Sequence, residues 1–159
     1  MKTKIILIVG AFLGIAISGL EFVKMYAEKL DYTPFLKISS IMFIILIVVA
    51  LYWGLKEIRT RCYDDPVMPE TQQSAFKFSK AFFYGCCISF VTFIVIFLYM
   101  ILHYSYIDVD GLQRISANNS ALPPLKNVIS ASLMFAFIDL LYAIFFNLFV
   151  AMYVYRKPH

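Results

Sequence analysis

The chain has 159 residues, of which 62% are hydrophobic and 15% charged, and its mean hydropathy is +0.79. That balance excludes a soluble globular domain, and no stretch outside the apolar runs is large enough to bury a core of its own. The net charge of +4 does not mark a nucleic-acid binder, because the basic residues flank the apolar runs and do not gather in one patch.

Four apolar runs dominate: Ile5–Val23, Phe35–Leu55, Phe82–Tyr106 and Val128–Tyr155. Each reaches roughly the 20 residues that a helix needs to cross a bilayer. They predict an all-α polytopic membrane protein, a single membrane domain over residues 1–159, with four transmembrane helices in a bundle at about 5–26, 35–56, 80–106 and 127–155. On one side of these spans lie Lys2, Lys4, Lys56, Arg59, Arg61, Lys77, Lys80, Arg156 and Lys157. Lys24, Lys29, Lys37, Arg114 and Lys126 lie on the other. Basic residues are retained in the cytoplasm, so both termini are expected there. Tyr52, Trp53, Tyr84, Tyr153 and Tyr155 fit the inner interface, and Tyr26, Tyr32, Tyr104 and Tyr106 the outer one.

The first span carries Gly10, Gly14 and Ser18 at four-residue steps, a stripe that lets two backbones approach closely. It serves either an intramolecular packing face, the preferred reading, or a dimerisation face. Glu21 returns to the same side of the helical wheel. Lys2 and Lys4 ahead of an apolar stretch, followed by Ala16-Ile17-Ser18-Gly19, also imitate a signal peptide with a cleavage site. Apolar character resuming at Leu20, Phe22 and Val23 favours an uncleaved span.

Pro34 suits the first turn of the second helix, and the centre of that span, Ile41–Leu51, has no polar side chain and reads as mostly lipid-facing. Lys56–Arg61 is expected to be its exposed end. Asp64-Asp65-Pro66 and Pro69 then break regular structure, and Thr71 is expected to cap a helix running through Phe76 into the third span. Phe76, Phe78, Phe82 and Phe83, interleaved with Lys77 and Lys80, suit the headgroup layer.

Within the third span Gly85, Cys86, Ser89 and Thr92 lie at a depth comparable to Gly10 and Gly14, which predicts contact between the first and third helices. His103 lies at a depth similar to Glu21. Cys62, Cys86 and Cys87 lack C-x-x-C spacing and indicate neither a disulfide framework nor a metal site. Asp108-Val109-Asp110-Gly111 opens like a calcium loop but lacks the later ligands, and reads as a solvated turn. Asn118-Asn119-Ser120 matches the glycosylation sequon, a short pattern that matters only in a eukaryotic secretory pathway.

In the fourth span Ser132, Ala136, Asp139, Ala143 and Asn147 form one seam about 80° wide on a wheel of about 100° per residue. Asp139 falls near mid-membrane, where a carboxylate costs roughly 2.5–3.5 kcal/mol on insertion scales, so it should face protein or water. Ser89 or Thr92 is the expected hydrogen-bond donor to it.

With this order of spans, the chain resembles an uncharacterised bacterial family of small four-helix membrane proteins, common in Bacteroidetes and catalogued as a domain of unknown function. The likeness rests on Ile58-Arg59-Thr60-Arg61, on Ala75–Phe82 followed by Gly85, and on Tyr106–Asp110. A glycine that members often carry before the entry segment is missing between Pro66 and Gln73. The resemblance implies the architecture and a bacterial inner-membrane location, and brings no activity, cofactor or site residue with it.

Three functions compete. The first, and preferred, is a non-enzymatic component that packs with itself or with a membrane-protein partner in the lipid bilayer. The second is a small transporter or proton-coupled permease using Asp139, with Glu21 and His103 as relay groups. The third, an intramembrane enzyme, finds no H-E-x-x-H or G-x-S-x-G motif, and no catalytic, cofactor or metal residue is assigned. An aspartyl dyad of Glu21 and Asp139 would need the two carboxyls almost touching, whereas their sequence-estimated depths differ by several residues of helix rise.

Overall fold

The computed structural model describes residues 1–30, 33–63, 76–111 and 128–156. Among the described residues the regular structure is helical: α1 (Lys2–Lys29), α2 (Thr33–Cys62), α3 (Phe78–Leu102), which continues into a π-helical turn (His103–Ile107), and α4 (Val128–Arg156). All four helices are long and apolar enough to cross a membrane. A helix satisfies every backbone N–H and C=O within itself, which is the condition for spanning hydrocarbon. At 28 residues, α1 is about 42 Å long and outreaches the ~30 Å apolar layer, so its ends enter the headgroup zone. Leu7, Ile8, Phe12, Ile45, Val49, Phe90, Leu98, Phe137 and Phe145 are exposed, as befits side chains that face lipid tails.

The helices touch in a ring. α1 packs on α2 and α3, α4 packs on α3 and α2, and α2 meets α3 more lightly across the middle. Gly10 and Gly14 set the α1–α3 contact. A Cβ at Gly10 would lie 2.6 Å from Val91 Cβ and 2.9 Å from the Ile88 carbonyl oxygen, and one at Gly14 would lie 2.6 Å from Val95 Cβ. No side chain fits there, and the two backbones are correspondingly close. Thr92 Oγ1 exploits the gap, lying 3.1 Å from the Gly10 carbonyl oxygen of α1 and 3.0 Å from the Ile88 carbonyl of its own helix. Ser18, the third member of the stripe, is buried. The stripe therefore seats α3 within the same chain.

On α2 the buried face is Ile47, Leu51, Leu55 and Ile58, spaced by four, four and three residues. Around them Ile41, Met42, Ile44, Ile45 and Val49 stay exposed. Ile58 lies in the segment expected to be exposed but is fully buried, because α2 continues without a break to Cys62 and keeps its apolar face inward. The entry to the third span also differs from expectation. α3 starts at Phe78, after Lys77 in extended conformation (φ −77°, ψ 155°), so Phe76 lies outside the helix and packs its ring against Tyr63 at 5.1 Å. Thr71, the expected cap, the sequon at Asn118 and the calcium-like loop beyond Gly111 lie outside the described residues. Within them, Gly111 N–H donates to the Asp108 carbonyl in a tight turn.

Gly10→Leu should therefore separate α1 from α3 and cost about 1–3 kcal/mol, the usual range for overpacking. Gly19, on the same helix, has nothing within 4 Å of its Cβ position, so Gly19→Leu should be tolerated. Thermal unfolding of the two variants in one detergent checks the contrast. Equal midpoints would place the stripe away from α3.

Candidate functional site

Three polar clusters interrupt the apolar interior. The first lies in the half of the molecule that holds the end of α1, the end of α3 and the start of α4. Tyr99 and His103 stand one turn apart on α3, with Tyr99 Oη 3.3 Å from His103 Nδ1. The His103 ring is 2% exposed, meets the edge of Phe22 at 6.3 Å and lies 5.3 Å from the Tyr104 ring. The chain widens into the π turn at this point, with the Asp108 N–H donating to the His103 carbonyl at 2.9 Å. Such widened turns recur at functional sites. Here the turn places the adjacent His103 and Tyr104 side chains both in the interior.

Glu21 faces this cluster from α1, half-buried and 3.5 Å from Lys24 Nζ. Phe22, the neighbour of Glu21, touches the His103 ring, and Tyr104, the neighbour of His103, lies 6.3 Å from the ring of Phe135, one turn before Asp139 on α4. Among the described residues Asp139 accepts no hydrogen bond, and the donors expected for it are engaged elsewhere: Ser89 Oγ donates to the Gly85 carbonyl at 2.9 Å, and Thr92 to Ile88 and Gly10. The reason is local. A helical serine or threonine satisfies itself on the carbonyl four residues back before it reaches a neighbouring helix.

The second cluster provides the helix tie. Asn147 of α4 is fully buried and donates through Nδ2 to the Phe82 carbonyl of α3 at 2.9 Å, with Cys86 Sγ at 3.6 Å. Its Oδ1 occupies the place where a Cβ of Gly85 would stand. Only a Cα–H fits beneath it, so the contact is of the weak Cα–H···O kind found between close helices. The rest of the seam is buried with it: Ser132, Ala136 and Ala143 all lie inside, and Asp139 is half-buried. Leu133, Phe137 and Phe145 point outward. Cys86 and Cys87 are half-buried free thiols in α3, and Cys62 is free at the end of α2. Among the described residues no three His, Cys, Asp or Glu side chains gather as metal ligands.

The third cluster, which sequence reasoning missed, closes the opposite end of the molecule. Lys2 Nζ donates to Tyr63 Oη at 3.0 Å, and the Tyr63 and Tyr84 hydroxyls hydrogen-bond each other at 2.7 Å. Lys2 and Lys80 stand over the Tyr63 ring at 4.3 Å and 5.1 Å. Burial raises the Tyr63 phenol, but the hydrogen bonds with Lys2 and Tyr84 and the charges of Lys2 and Lys80 outweigh it, and the group ends below its ordinary value. Arg59 then reaches across to donate to the Val154 carbonyl of α4. One tyrosine just past α2 thereby ties the starts of α1 and α3, and Arg59 adds the end of α4. The sequence signal is a tyrosine shortly after the exposed end of the second span.

The Asn147–Gly85 contact generates a direct test. Gly85→Ala should lose about 1–3 kcal/mol by overpacking, because its methyl group and the Asn147 amide claim the same space. Asn147→Ala removes that clash, so the double variant should be less destabilised than the sum of the two single changes. Strict additivity in thermal unfolding would refute the contact.

Searches against protein-family models, curated proteins and solved structures found no match to the chain.

Proposed function

We propose that the protein is a non-enzymatic, multi-pass component of a bacterial inner membrane, a four-helix bundle with both termini in the cytoplasm that packs with itself or with a membrane-protein partner. The observation that carries this reading is where the buried polar groups are spent. Asn147 holds α3 to α4, Thr92 holds α3 to α1, and Lys2, Tyr63, Tyr84 and Arg59 fasten the helix ends. These contacts build a rigid membrane body. Because Gly10 and Gly14 are occupied by α3, self-association would use outward apolar faces such as Ile8, Phe12 and Ile15 of α1. The cytoplasmic placement of the Lys2–Tyr63 end follows from the basic residues collected there, and the bacterial location from the family resemblance.

A second reading, a proton-coupled permease, is favoured by one observation: Glu21, Tyr99, His103 and Asp139 all lie in the half of the molecule that holds the end of α1, the end of α3 and the start of α4, with Tyr99 Oη 3.3 Å from His103 Nδ1. Intramembrane ionisable groups mark ion pathways.

Two measurements test these readings. In a chain with Cys62, Cys86 and Cys87 replaced by alanine, Ser116→Cys should react with an impermeant thiol reagent in intact cells, and Ser74→Cys only after the membrane is opened. The reverse pattern would invert the topology. For the cluster, Asp139→Asn and Asp139→Leu should both fold with stabilities within about 1 kcal/mol of the parent, since no hydrogen bond is lost. The structural reading expects no pH-dependent flux in proteoliposomes of the parent protein. Flux that Asp139→Asn abolishes would establish the permease instead.

A further inference from the structure

We propose that the groove between α2 and α4 is a binding site for an anionic phospholipid, with one acyl chain in the groove and the phosphate headgroup at its cationic end. The inference goes beyond the proposed function and does not depend on it. The groove encloses about 670 Å³ and is lined by Val48 and Tyr52 of α2 and by Phe146, Phe149, Val150 and Tyr153 of α4. On each helix these positions recur at three- and four-residue steps, so the two lining faces run side by side along the helix axes. The lining is apolar and the groove opens sideways, toward the hydrocarbon. An extended chain of methylenes suits such a trough.

What distinguishes this groove from ordinary lipid-facing surface is its polar end. The Tyr52 and Tyr153 rings close it at a centroid distance of 5.9 Å. One turn further stand the exposed Lys56, four residues after Tyr52, and Arg156, three residues after Tyr153, whose guanidinium donates to Tyr155 Oη at 3.2 Å through Nε and keeps its other N–H groups for a headgroup. Arg59 holds the two helices together there by its bond to the Val154 carbonyl. Among the described residues the carboxylate of this end is Glu57, and it is paired with Arg61. The order along the groove is therefore apolar trough, amphipathic aromatic pair, then cations. That is the order of acyl chain, interface and phosphate in a phospholipid. A zwitterionic headgroup brings its own ammonium to the cations, whereas an anionic one does not, so charge selects the anionic lipid. Basic pockets between transmembrane helices bind such headgroups elsewhere.

The test places a reporter in the groove. The chain has one tryptophan, Trp53. In the intact protein carrying Trp53→Phe and Phe149→Trp, reconstituted in vesicles, quenching is compared for lipids brominated on the acyl chain, phosphatidylglycerol against phosphatidylcholine. Association with phosphatidylglycerol should be favoured about fivefold or more, since each cation near the surface contributes roughly that factor. Adding Lys56→Gln and Arg156→Gln should bring the ratio close to one. A reporter on the outward face of α1, Phe12→Trp in the same background, should show no preference. Equal quenching by both lipids at Phe149→Trp would overturn the proposal. So would a groove reporter that neither lipid quenches, which would mean that a protein helix fills the groove. Should Phe149→Trp fail to fold, native mass spectrometry of the unaltered protein serves in its place. Retention of phosphatidylglycerol over phosphatidylcholine supports the site, and equal retention rejects it.

Discussion

Lipid tails are as apolar as leucine, so burying a leucine between two helices inside a bilayer gains little from the hydrophobic effect. Helix association there rests on close packing and on polar groups that have no water to turn to. In this protein the requirement is met where glycine removes the side chain altogether. Gly10 and Gly14 bring α1 against Val91 and Val95 of α3, close enough for Thr92 to reach the Gly10 carbonyl. Gly85 does the same for Asn147 between α3 and α4. α3 is thus held on both sides, and the positions of α1 and α4 are largely set by what it offers them.

The helix ends are handled by different chemistry. Where the chain leaves the hydrocarbon, side chains are long, aromatic or charged, and they interact at the polar boundary. Tyr63 accepts from Lys2, hydrogen-bonds the Tyr84 hydroxyl and lies under the charges of Lys2 and Lys80. Three segments distant in sequence meet at one phenol. At the opposite end the arrangement is acidic and histidine-bearing: Tyr99 and His103 lie within hydrogen-bonding distance, and Glu21 and the half-buried Asp139 lie in the same half of the molecule. The two ends differ in kind: one fastens helices through its hydrogen bonds, and the other gathers ionisable side chains.

The division bears on function. If the membrane body is fastened by Asn147, Thr92 and Tyr63, Asp139 is not needed to hold it together, and its retention at about 2.5–3.5 kcal/mol of insertion cost becomes a question about charge and not about packing. The α2–α4 groove points elsewhere again, toward the lipid itself. A protein that fixes an anionic lipid at its cationic end gains a defined depth and orientation, which suits a component that presents a surface to a neighbour.

The four long apolar helices, the α1–α3 contact and the inward face of α4 were legible in the sequence. Each depends on length or on period: about twenty apolar residues, small residues every fourth position, a seam recurring at four, three and four. Those features act within one helix, where geometry is set by the backbone alone. What the sequence left open was which partner each polar group would take. Ser89 or Thr92 suits Asp139 by depth, yet both bond to backbone carbonyls; Ile58 falls in a segment that reads as exposed and is buried; and Tyr63, to which the sequence assigns no role, ties three segments together. Partner choice depends on distances between helices, on the side-chain reach across them and on where a helix stops. None of these has a period, so only the tertiary structure decides them.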